Sequence, residues 1–278
     1  MQQPHRWLLL AIVALGATVG SAPAQATMLF DHGLSADSFT LTPEANAPPE
    51  FGRCIKTTGG AYSNGACTET GSGGKYEWYA AFASSAPLEK AGFTSILKEG
   101  TDATLETAEK STINCTGETS SGEITGNKTV GNVVATFTGC EDFEVPCQSA
   151  GSAAGTVTMN TLEGTLGVEE LAAEPAHNKI GEKLYPVGHS GPIARFDCGS
   201  FPVIVTGAMI SPVSSNSMKL IVTVKTKQSK GKQKPEAFVG ETPELLTTQI
   251  AEGFPVQAGE TITNSQTNAE KVEINSVV

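Results

Sequence analysis

The sequence predicts an all-β protein, an antiparallel sandwich or barrel-like fold of one domain or two packed β sub-domains, stapled by disulfides. Three observations carry this. Short segments of alternating apolar and polar residues recur between glycine-rich turns. Helix signals are sparse, and charged residues make up only 17% of a chain rich in Gly, Thr and Ser, a mixture suited to strands and turns. All six cysteines follow a segment with the marks of an export signal.

In residues 1–26, Arg6 supplies a positive start, Trp7 to Gly20 is uncharged and apolar, and Ala24-Gln25-Ala26 gives the small-x-small pattern cleaved by signal peptidase. Cleavage is expected after Ala26. The apolar run is short beside the roughly 20 residues a spanning helix needs, and no twin arginine is present. The expectation is a secreted, extracellular protein that does not span the membrane after signal cleavage. Residues 27–50, with Pro43, Pro48 and Pro49, read as a flexible N-terminal arm, and 51–278 as the β-rich globular domain. A formal charge of −11 argues against nucleic acid as partner, because phosphates need cations to neutralise them.

Alternation marks strands at 122–126, 133–139, 155–159, 194–198, 202–210, 219–227 and 260–267, with a closing strand at Lys271–Asn275. Leu162 to Ala173 fits strand or helix. Pro243 to Ala251 is the one segment read as a short helix, with Pro in its first turn. Glu174 to Lys183, polar and carrying Pro175, is the best internal boundary.

The cysteines are Cys54, Cys67, Cys115, Cys140, Cys147 and Cys198, read as three disulfides. Cys54 and Cys67 bracket a turn-rich loop and Cys140 and Cys147 an acidic one. Local pairing of each leaves Cys115 with Cys198. A zinc site fits poorly, because no CxxC pair occurs. No metal and no cofactor is expected.

FGRC (51–54), TFTGCE (136–141), GKQKPEAF (231–238) and the tail from Thr263 to Val278 resemble a group of exported proteins from soil actinobacteria. The resemblance implies export by a bacterium. Its blocks are structural, and it carries over no activity and no site.

Hints of chemistry are few. Gly188-His189-Ser190-Gly191-Pro192 resembles a nucleophile elbow, but Pro192 replaces the last Gly and an alternating segment follows where a helix is required. As a protease motif it would need an upstream His, and His32 and His177 sit in the arm and in a polar loop. Ser95 to Lys98 matches S-x-x-K, with faint echoes at Ser214–Asn216 and Lys225–Lys227 at the wrong spacing. Glu141, Asp142 and Glu144 form an acidic loop lacking calcium-loop spacing. No catalytic residue is therefore assigned.

Tyr76 and Trp78 share a strand face able to stack on sugar rings or to enter the core. Lys225 and Lys227 lead an acid-free lysine run that fits an anionic wall polymer or a protected sheet edge. These four residues are the candidate ligand contacts. The sequence thus favours a non-enzymatic protein acting in extracellular or cell-envelope binding or structure, with a polysaccharide or another envelope protein as partner. The alternative is a secreted hydrolase, working by Ser190 acyl transfer or as a paired-carboxylate glycosidase.

Overall fold

The computed structural model describes residues 49–173, 178–213 and 218–275. The export segment, nearly all of the arm, Glu174–His177 and Ser214–Asn216 lie outside the described residues. Within them the chain is antiparallel strand with one 3-10 turn at Val187–His189 and no α-helix.

A long hairpin comes first, β1 (Glu50–Tyr62) and β2 (Thr70–Ala80). Then come β3 (Gly92–Leu97), β4 (Ala103–Thr107), β5 (Thr112–Cys115), β6 (Gly117–Ile124) and β7 (Thr129–Thr138). The short β8 (Glu141–Asp142), β9 (Val145–Gln148) and β10 (Val157–Thr158) precede β11 (Leu162–Glu170), β12 (Lys179–Pro186), β13 (Ala194–Cys198) and β14 (Phe201–Thr206). The last are β15 (Met209–Pro212), β16 (Lys219–Gln228), β17 (Gln233–Lys234), β18 (Thr247–Ile250) and β19 (Val256–Asn275).

Hydrogen-bonded pairing runs β4–β5–β8–β9–β13–β14–β18–β19 and returns from β19 to β4, which closes an eight-stranded antiparallel barrel. Closure removes the open edges that a sheet otherwise exposes. In β13, Ala194, Phe196 and Cys198 point inward while Arg195 and Asp197 point out, the period-2 pattern of a half-buried strand. Phe196 shares one buried cluster with Ala103, Ile113, Val203, Val205 and Leu246, where each large apolar side chain contributes roughly 1.5–3 kcal/mol.

A second run, β16–β19–β3–β6–β7–β11–β12–β15, brings β15 back against β16. There the buried hydroxyls of Ser211 and Thr226 bond at 2.7 Å. β19 is common to both rings: residues 258–261 pair with β4, and residues 264–268 pair with β3. The β1–β2 hairpin attaches outside through the pairing of Glu50, Phe51 and Gly52 with the end of β19. Arg53 adds an ion pair to Glu270 at 2.7 Å.

The disulfides are Cys54–Cys67, Cys115–Cys140 and Cys147–Cys198. The expected local Cys140–Cys147 pair, and with it Cys115–Cys198, is overturned. The Cys147 N–H donates to the Cys140 carbonyl at 2.9 Å. The Cys140 N–H turns away to the Gly155 carbonyl at 2.9 Å, so a single backbone bond joins the two cysteines. Each turns instead to the strand on its other side, where Cα separations are 3.9 Å to Cys115 and 4.0 Å to Cys198. The β8–β9 hairpin is thus bolted on both flanks, to β5 and to β13.

Two secondary-structure expectations also resolve. Residues 247–250 of the expected helix form β18, because Thr248 is fully buried between β14 and β19 and its amides find ladder partners there. Leu162 to Glu170 is strand, and the two separate C-terminal strands are one strand of 20 residues.

Candidate functional site

The residues singled out in the sequence do not converge. Trp78 is half-buried. Its ring lies over Gly52, where an added Cβ would fall 2.3 Å from the indole. Tyr76 lies further along the hairpin, against Gly65 in the Cys54–Cys67 loop. Lys225 and Lys227 are exposed on β16 on either side of the buried Thr226, and Lys227 pairs across to Lys234.

Ser190 is exposed at the end of the 3-10 turn. The neighbouring His189 stacks on Tyr185 at a ring separation of 3.9 Å and lies 3.4 Å from Glu244. Ser95 is buried on a strand, while Lys98 is exposed beyond its end. The acidic loop is a tight turn whose Phe143 and Glu144 both have positive φ. Among the described residues no three His, Cys, Asp or Glu side chains group closely enough to hold a metal ion.

What the fold does assemble is a cavity of about 160 Å³ inside the larger ring. Period-2 alternation builds its wall. On β19, Glu260, Ile262, Asn264, Gln266 and Asn268 all face it. Glu118 and Ser120 on β6, and Ser95 on β3, stand beside them in register. From the opposite wall come Glu182 on β12 and Ser211 on β15, which are paired directly across. Phe93, Phe137, Leu162, Met209 and Val224 supply apolar surface between the polar groups. Glu273, near the end of β19, lies under Trp78.

Four glutamates therefore line one cavity, with no Lys, Arg or His among its lining residues. Burial pushes the carboxyls of Glu182, Glu260 and Glu273 up to about 7. Glu260 feels Glu118 as a neighbouring like charge. Glu118 is itself raised by burial, partly offset by Ser120 and Asn264. The Trp78 indole offsets some of the burial at Glu273, yet it stands outside hydrogen-bond geometry, so indole N–H and carboxylate oxygen are both left unpaired. One oxygen each of Glu118, Glu273 and Asn264 is buried without a partner. A buried acceptor without a donor costs about 1–3 kcal/mol, so these oxygens call for a donor inside the cavity, from water or from a guest.

Glu260 has a second position of consequence. It also borders a smaller cavity of about 70 Å³ inside the closed barrel, lined by Leu105, Ile113, Phe196 and Val205. The carboxyl stands where β19 passes from one ring to the other.

No known protein family, curated protein or solved structure matches this chain.

None of the four glutamates was singled out by sequence reasoning. A signal was present in ETITNSQT: apart from Ile262 both faces of that strand are polar, Glu260, Asn264 and Gln266 on one and Thr261, Thr263 and Ser265 on the other. A strand with no predominantly apolar face has either two wet faces or one face lining a polar interior.

Proposed function

We propose that this chain is an exported binding protein that holds a small ligand inside its larger ring. The observation that carries the reading is the 160 Å³ cavity with its unpartnered carboxyl and amide oxygens. Engineered apolar cavities of about 150 Å³ take up benzene, so a compact single-ring molecule is the size of guest that fits. The three disulfides suit an oxidising compartment, and the signal-like residues 1–26 and the actinobacterial resemblance support export by a bacterium. The interior is preferred to the Trp78 face and the lysine strand as the locus of binding, because four glutamates and the Asn264 side chain converge there.

A paired-carboxylate hydrolase is the second reading, favoured by the like-charge coupling of Glu118 and Glu260 within one cavity. Size weighs against it, since a glycosidase must hold two sugar rings and the 160 Å³ cavity matches a single-ring guest.

Binding is tested with benzyl alcohol as a neutral probe, followed by NMR shifts of the Ile262 and Val224 methyl groups in the oxidised protein. Saturable shifts at those methyls are expected. They should be lost in Ala135→Phe, which fills the cavity, provided the variant keeps the wild-type far-UV spectrum. Absence of saturable binding in the wild type would sink the interior-site reading.

A further inference from the structure

We propose that the cavity is a site for a small organic cation, a protonated amine on a compact apolar body whose N–H groups donate to Glu118 and Glu260. The proposal rests on the reading of the larger ring as a binding site and names the class of ligand it takes.

Three lining atoms are buried and unpartnered, an oxygen of Glu118, an oxygen of Glu273 and the Asn264 side-chain oxygen, and with the two carboxyls ionised all three are acceptors. Glu118 and Glu273 are each only 5% exposed, so solvent does not satisfy them from outside. The complementary guest must bring donors, and an ammonium brings three and accepts none. An anion would face four glutamates with no cation in the lining. A neutral alcohol would satisfy one acceptor and leave the rest.

Charge and spacing narrow the class further. A bare divalent ion asks for six to eight oxygens close together, and among the described residues the carboxyls do not group that way. They are spread around a chamber whose remaining wall is apolar, with Phe137, Met209 and Ile262 among its members. Such a wall suits an alkyl or aryl body, with the charged head at the Glu118–Glu260 end, and an N–H donated to an ionised carboxylate is about twice as strong as a neutral hydrogen bond.

The titratable groups facing the site are Glu118 on β6, Glu182 on β12, and Glu260 and Glu273 on β19; β3, β7, β11, β15 and β16 contribute none to the lining. Because burial favours the protonated form of these carboxyls in the free protein, an arriving cation displaces a proton. Its affinity should therefore rise between about pH 5 and about pH 8.

The experiment compares benzylamine, a cation throughout that range, with the near-isosteric benzyl alcohol on the oxidised protein by NMR titration and calorimetry. A preference for the amine of about tenfold or more is expected at the higher pH. It should shrink at the lower pH and fall to near parity in Glu260→Gln and Glu118→Gln, while the alcohol binds all three proteins alike. Calorimetry in buffers of different ionisation enthalpy should show proton release with the amine alone. If the alcohol binds and the amine is no tighter, the cation site is overturned and the binding reading stands. If neither binds, both fall. A preference that survives in both glutamine variants places the cation elsewhere and also overturns the proposal.

Discussion

Removal of the Cys147–Cys198 bridge, as Cys147→Ala with Cys198→Ala, is expected to lower the unfolding free energy by about 4 kcal/mol. The bond spans 51 residues, and the chain-entropy model gives roughly that value for a loop of such length. Its position adds a structural reason. The β9–β13 contact is a ladder of only two residue pairs, Gln148 with Asp197 and Cys147 with Cys198, yet it is one of the eight contacts that close the barrel. Without the bond the barrel can open there, exposing the core around Phe196 and Val203.

Urea unfolding monitored by far-UV circular dichroism measures the loss. Cys54→Ala with Cys67→Ala is the control, since that bond closes a 13-residue span in the outer hairpin. The control should change the emission of Trp78, which stands opposite Cys54 in the β1–β2 ladder, and leave the main transition nearly in place. Peptide mapping without reduction fixes the connectivity directly. A fragment linking Cys140 to Cys147 would refute the doubly bolted hairpin.

Local alternation made much of the strand content legible. ARFDC is β13 to the residue, and KLIVTVKTK is β16 but for its last residue. Pairing was not legible, because it depends on which strands meet across long stretches of chain. The cysteines show this. Spacing favoured joining Cys140 to Cys147, and a backbone bond does link them, but the flanking strands bring Cys115 and Cys198 to Cα separations of 3.9 and 4.0 Å. The short helix at 243–251 failed for a related reason. Its pattern, with Pro at the start and Leu245 and Leu246 inside, permits a helical turn, but two neighbouring strands offered the chain backbone partners. The cavity was hidden because burial of polar residues contradicts the ordinary expectation that carboxylates lie in water. Glu118 and Glu273 become distinctive only once the ring has folded around them.

The same buried carboxyls predict an unusual pH dependence: the protein should be more stable near pH 5 than near pH 8. Glu182, Glu260 and Glu273, ordinarily at 4.5, stand at about 7 in the folded state, chiefly through burial. Glu169 on β11 is also raised to about 7 by burial, with Lys179 pulling the other way. Between the unfolded and folded values the native state binds more protons than the unfolded chain, so stability falls as pH rises. The contribution is complete below the unfolded value and gone once pH has passed the folded one. For Glu273, which is 5% exposed, a shift from 4.5 to about 7 corresponds to roughly 3 kcal/mol.

Self-repulsion in a chain of net charge −11 acts in the same direction, and salt separates the two. Raising ionic strength to about 1 M shortens the screening length to about 3 Å and suppresses repulsion between exposed charges, while a buried desolvation penalty persists. Urea midpoints measured at both pH values in low and high salt should retain most of the difference. Glu273→Gln keeps the neutral shape without the titration, so it should flatten the profile and stabilise the protein at the higher pH. A profile that rises with pH, or a Glu273→Gln variant less stable than the wild type near pH 8, would mean that this carboxyl is ionised and paired in the folded protein. An amine bound in the cavity would act the same way, so the titration belongs first on protein dialysed in acid.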